Sequence, residues 1–220
     1  MGSEMCIRDR GKRQSMLANL LNSVGMRPEP PPRVPRLAAM PSMSDEILDL
    51  YRRLGGRAQS PVLSPGAWDM SVGGVIIELD EEQHFNRYRG LTLTPGWARE
   101  MPWFDAYRTL CSSEEGTCLQ KAGHTGFWSS ASSDAHFGPS AAPKQIDSPG
   151  GSSRWKQRAL YDAMKDAAAY AADSDYPLAR LSVHDTVNGV RLGSVLQGKA
   201  NADPDALIAL VRERLHTRVT

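Results

Sequence analysis

The short run Val75-Ile76-Ile77 and the acids around it limit this chain more than any other stretch. All three residues are β-branched and apolar, which suits a strand buried on both faces. The run leads directly into Glu78-Leu79-Asp80, and Trp68-Asp69 stands just ahead of it in the chain. Three carboxylates thus lie on or beside a core strand. Burying a charge without a partner is costly, and a divalent cation offsets that cost. The stretch reads as a β-hairpin, Ala67–Val72 and Gly74–Asp80, with Val72-Gly73-Gly74 near the turn. Asp69, Glu78 and Asp80 are its candidate metal ligands. A plainer reading stays open: an Asp at a strand start also serves as a turn residue or cap, and the acids Glu78 to Glu82 also suit a solvated strand end.

The chain has 220 residues, enough for one domain or one domain with a sizeable insertion. Its net charge is +1, from 26 basic and 25 acidic residues. A neutral total does not decide for or against a nucleic-acid partner, because a basic face can hide inside it. Three cysteines, an odd number, argue against a secreted disulfide framework. No apolar run approaches the ~20 residues of a membrane span, and the start lacks the apolar segment of a signal peptide. A cytoplasmic setting without membrane partners is the expectation.

Met5-Cys6-Ile7-Arg8-Asp9 resembles the translation of a transposon-type sequencing adapter, so residues 1–10 read as artefact and Cys6 leaves the cysteine argument. Met16, Met26, Met40 and Met43 are alternative starts. The proline- and arginine-rich stretch Arg27–Pro41 reads as extended linker. Residues 1–43 are therefore expected to be a disordered or linker N-terminus, and 44–220 one domain.

Helical spacing of Ile47, Leu50, Tyr51 and Leu54, with Ser44 as N-cap and Gly55-Gly56 as stop, predicts a helix over 44–54. From about 90 to 152 the pattern is weak and punctuated by proline and glycine, so this section reads as an irregular insertion, with a short helix from Phe104. Trp155, Ala159, Leu160, Ala163, Met164, Ala167 and Ala168 predict a helix over 153–171. Ala179–Val187 alternates as a strand. Asp203 and Pro204 open a last helix that runs to Leu215. The order is helix, hairpin, insertion, helix, strand, helix, which suggests an α/β fold with a mixed sheet flanked by helices.

That order, with acids at those places, resembles the PD-(D/E)XK superfamily, and within it the small branch related to very-short-patch repair endonucleases. The matching residues are Asp69-Met70, then Glu78-Leu79-Asp80-Glu81-Glu82-Gln83-His84, with the later helix Arg154–Ala169, strand Ala179–Val187 and closing helix Pro204–Leu215. Glu81 stands where the branch has glycine, and Asp80 holds the place of the superfamily lysine.

The resemblance implies a restriction-endonuclease-like fold and divalent-metal-dependent hydrolysis of phosphodiester bonds, with nucleic acid, DNA first, as partner and a homodimer open as the assembly. Mg²⁺ or Mn²⁺ would be held by Asp69, Glu78 and Asp80, with the Leu79 carbonyl completing the shell. Gln83 would orient water or phosphate, and His84 would act as general acid or base. The missing positive charge would come from Lys156 or Arg158 on the following helix, and Arg87 and Arg89 would contact phosphate. The departures at Asp80 and Glu81 equally suit an inactive binding or interaction module of the same fold.

Cys111, Cys118, His124 and His136 carry zinc-binding residue types at spacings that zinc sites do not use, so core thiols are the alternative. Trp97, Trp103, Trp128 and Trp155 suit base stacking, but tryptophan is more often a core residue. Arg52, Arg53, Arg87, Arg89, Arg154, Lys156 and Arg158 suit either a phosphate groove or solvated faces.

Overall fold

The computed structural model describes residues 11–122, 128–171, 174, 176–201 and 203–217. In chain order the elements are α1 (Lys12–Ser23), β1 (Pro28–Glu29), α2 (Ser44–Arg53), β2 (Met70–Val72), β3 (Val75–Asp80), α3 (Arg87–Thr92) and α4 (Phe104–Ser113). After these come α5 (Glu115–Lys121), α6 (Ala131–Phe137), α7 (Ser153–Tyr170), β4 (Leu178–Ser182), β5 (Thr186–Val187) and β6 (Val190–Arg191). The chain closes with α8 (Leu192–Leu196), α9 (Pro204–Glu213) and β7 (Leu215–His216). They divide into two compact units. The first takes in the chain up to Arg33, Ala67–Glu81 and the chain from Tyr176 onward; the second comprises Val34–Gly66 and Glu82–Asp175.

The first unit holds a five-stranded mixed sheet, ordered β1-β2-β3-β4-β7. The β2–β3 hairpin is antiparallel, with Met70 opposite Ile77, and β3 runs parallel to β4, with Glu78 beside Arg180 and Asp80 beside Ser182. Alternation sends Met70, Val72, Ile77, Leu79, Ala179 and Leu181 to one face. There they pack with Leu17 and Leu21 of α1, Leu192 and Leu196 of α8, and Leu207, Leu210 and Val211 of α9. Each fully buried leucine contributes about 1.5–3 kcal/mol. The result is the mixed sheet flanked by helices that the element order suggests.

Several local expectations change. Lys12–Ser23 is helix where composition suggests linker, because Leu17 and Leu21 sit one turn apart and both bury completely. Ser44 does not cap α2. It lies inside the helix after the turn Pro41–Met43, and its hydroxyl donates to the Leu37 and Met40 carbonyls. The strand foreseen over 179–187 stops at Ser182, where the Asp185 carboxylate accepts the Ser182 N–H at 2.7 Å and turns the chain. A separate hairpin follows, with Asn188 and Gly189 both at positive φ, as a two-residue primed turn requires. The last helix opens as expected, the Asp203 side chain accepting from Asp205 and Ala206, but ends at Glu213 so that Leu215-His216 can pair with β4.

The second unit is built on α7, whose Trp155, Leu160, Ala163, Met164 and Ala167 have no exposed surface. Helices α2, α3 and α6 pack against it. The section from about 90 to 152 holds the foreseen helix from Phe104 as α4, and helices α3, at its start, α5 and α6 join it. They are six to ten residues long, too short to show sustained periodicity in the sequence. Side-chain caps open two of them: Asn86 accepts from the Tyr88 and Arg89 N–H groups at α3, and Ser130 and Ser133 form a reciprocal capping box at α6. Among the described residues no helix is long and apolar enough to cross a membrane.

Candidate functional site

The polar face of the first unit's sheet carries the acids. Alternation that sends Ile77 and Leu79 to the apolar core sends Glu78 and Asp80 to the opposite face, where both are at most 3 % exposed. Beyond the last hairpin pair, Met70 opposite Ile77, side chains continue the ladder. The Asp69 N–H donates to Glu78 Oε1 at 2.8 Å, and the Leu79 N–H donates to Asp69 Oδ2 at 2.8 Å. Gln14 of α1 donates to the Asp69 carbonyl at 2.6 Å. Asp69 and Glu78 are thus brought together across the mouth of the hairpin, each fixed by a backbone N–H.

Asp80 belongs to the same face and has a partner that the sequence reading missed. Arg180 of β4, fully buried, places one guanidinium nitrogen 2.9 and 2.7 Å from the two Asp80 carboxylate oxygens. Register also sets Arg180 beside Glu78. A signal for it existed: an arginine within Leu178-Ala179-Arg180-Leu181 interrupts a run that otherwise reads as core, and a buried cation requires an anion. Three carboxylates and one guanidinium share this face.

In the second unit, Gln83 and His84 sit in the single turn Glu82–His84 and are held by α7. His84 Nδ1 lies 2.8 Å from Asp162 Oδ2, and Arg158 donates to the Gln83 side-chain oxygen at 3.0 Å and to its carbonyl at 3.3 Å. Arg158 and Asp162 are four residues apart and share one helix face. Lys156 is two residues from Arg158 and points elsewhere. Its ammonium donates to the Gly150 carbonyl at 2.9 Å and lies 5.5 Å from the Tyr88 ring centroid. Of the two cations foreseen on this helix, Arg158 is the one beside Gln83. Burial and then the neighbouring Arg57 push the Lys156 ammonium below its ordinary pKa.

The other cations foreseen at phosphate are committed within the unit. Arg89 is buried against Asp166 at 2.6 Å and lies 5.9 Å from the Tyr107 ring centroid. Arg87 binds Glu115 at 2.8 Å and also Asp147. The four tryptophans foreseen as stacking platforms are all buried; Trp128 and Trp155, for example, meet edge to face at 5.1 Å. Cys111 and Cys118 are buried thiols on α4 and α5, and burial pushes Cys118 up to about 12, where it is inert. His136 meets the Tyr51 ring, and His124 lies outside the described residues. Among the described residues Cys111, Cys118 and His136 do not converge as a metal-ligating group.

Residues 49–198 match the model of a family of unknown function, DUF7255. The chain belongs to DUF7255. The match takes in Asp69, Glu78, Asp80, His84, Asp162 and Arg180, and leaves out α1 and α9. No curated protein and no solved structure matches this DUF7255 chain.

Proposed function

We propose that this protein is a divalent-metal-dependent nuclease, or a nuclease-like protein, of the restriction-endonuclease-like fold, acting on DNA. The observation that carries the reading is the pairing of Asp69 with Glu78 across the hairpin mouth, each held by a backbone N–H at 2.8 Å. Two carboxylates, one just before β2 and one on β3, with the backbone carbonyl of Leu79 between Glu78 and Asp80, make an all-oxygen donor set, which suits Mg²⁺ or Mn²⁺. Such a cation supplies a more acidic water and neutralises charge on a phosphate. Asp69 and Glu78 would hold it. Asp80, in third place on the same face, would be oriented by Arg180, which brings to the acids the positive charge that the hairpin lacks. The same resemblance assigns assisting roles to Gln83 and His84, the polar residues that follow Asp80 in the chain.

A second reading, a non-catalytic binding module of the same fold, has its own support. Asp69 and Glu78 already accept backbone bonds, and Asp80 is engaged by Arg180, so these acids have protein partners without a cation. Nicking of supercoiled DNA with Mg²⁺ or Mn²⁺ separates the two. The nuclease reading expects cleavage by the wild type, and its loss in Asp69→Ala and Glu78→Ala variants that retain their circular dichroism. A wild type inactive across both metals and across DNA and RNA substrates decides for the binding module. Cleavage that survives both substitutions refutes the site.

A further inference from the structure

The second unit contains a pair of cations that the acidic site does not use. Arg57 follows α2, and its N–H donates to the His136 carbonyl at 2.9 Å, which ties this loop to the end of α6. A Cβ on Gly138, the residue after α6, would overlap the Arg57 guanidinium, so the guanidinium lies flat against bare backbone there. Lys156 reaches the same loops from α7. Its Nζ is 2.9 Å from the Gly150 carbonyl and 3.8 Å from the place a Cβ on Gly55 would take. A Cβ on Gly150 would in turn meet the Pro139 carbonyl at 2.8 Å, so the two glycine loops are themselves packed together. Gly55, Gly138 and Gly150 all have positive φ, between 79° and 92°. Glycine is what that backbone conformation favours, and at these three positions it adds no side chain beside the cations.

Burial lowers the pKa of Lys156, and the like charge of the neighbouring Arg57 lowers it further. Among the described residues neither has a carboxylate partner. Arg57 is exposed, and its guanidinium is seated on Gly138. A guanidinium fork and an ammonium beside glycine backbone match one ligand chemistry well, a tetrahedral oxyanion. We infer that Arg57 and Lys156, framed by Gly55, Gly138 and Gly150, form a phosphate-binding site in the second unit. The phosphate belongs either to a nucleic-acid backbone or to a small phosphorylated molecule. The inference does not depend on the nuclease reading, since it needs neither divalent metal nor cleavage.

The full chain is titrated with a labelled 20-base-pair duplex, without divalent metal, over a range of salt, and separately with inorganic phosphate while amide resonances are followed. The site predicts that phosphate shifts the amides of Gly55, Gly138 and Gly150 in the wild type, and that this response is lost in Lys156→Gln and Arg57→Gln. If the phosphate is that of nucleic acid, each variant also weakens duplex binding about equally for all sequences and lowers the salt slope by about 1. If duplex binding is unchanged while the glycine response to phosphate is lost, the site serves a small phosphorylated molecule. Unmoved glycine amides in the wild type, with duplex affinity and salt slope the same in both variants, overturn the site. Arg57→Lys serves as the folding and charge control: it keeps the duplex salt slope and weakens the forked contact.

Discussion

Replacing Arg180 with methionine removes a buried charge partner of Asp80 while filling similar volume. Asp80 is 1 % exposed and Arg180 has no exposed surface, so water does not take over the lost contact without rearrangement. Charge centres about 4 Å apart attract by about 4 kcal/mol at an effective dielectric of about 20. Breaking one side of a buried pair costs about 3–5 kcal/mol by comparison. For a chain of this size each kcal/mol moves Tm by about 2–4 °C, so a loss of about 4 kcal/mol lowers it by roughly 8–16 °C. Differential scanning calorimetry of Arg180→Met, Asp80→Leu and the double variant measures this directly. The double variant is expected to recover at least half the loss of Arg180→Met, because it also removes the buried carboxylate at position 80. A loss under about 1 kcal/mol in Arg180→Met, the level of an exposed pair, refutes the account of a buried polar face.

Three further outcomes test the rest of the structure. Leu17→Ala and Leu21→Ala each cost about 2–5 kcal/mol in urea unfolding if α1 is part of the first unit's core; a loss near zero would return that segment to a tail. Asp166→Ala removes the buried carboxylate beside Arg89 in the second unit and is expected to cost about 3–5 kcal/mol, whereas an exposed pair would cost less than about 1 kcal/mol. Burial raises the Glu115 carboxyl, but the hydrogen bonds from Arg87 outweigh it and hold it below its ordinary 4.5. Its folded pKa is thus depressed, so its stabilisation is present above about pH 4.5 and disappears as pH falls through the folded value. Glu115→Gln should flatten the acid side of the stability profile, and an unchanged profile there would contradict the pairing.

The hairpin and α7 were legible because each is set by a local pattern: three β-branched residues beside glycines in one, an apolar stripe over five turns in the other. The proximity of Asp69 and Glu78 was legible for the same reason, since hairpin register follows from the turn. Arg180 was not, because its pairing with Asp80 spans 100 residues and no periodicity announces a partner so distant. Asp162 was hidden differently. It lies in a helix whose apolar stripe dominates the pattern, and only the turn at Glu82–His84 shows what it meets. Lys156 and Arg158 looked interchangeable in sequence, and helical geometry separated them, because two residues turn a side chain to another face. The helix from Phe104 was foreseen, whereas α3 and α6 escaped because capping at Asn86 and Ser130 carries information that periodicity does not.

The parallel pairing of β3 with β4 also bears on how this protein is made. Asp80 leaves the ribosome 100 residues before Arg180. At about 5–20 residues per second, its carboxylate waits about 5–20 s for its counter-charge. Closing a loop of about 100 residues costs about 2 kcal/mol more entropy than closing one of about 10. The hairpin therefore forms early and the polar face is completed late. A chain that stops short of Leu178 can make the β2–β3 turn, but its acids would remain in water.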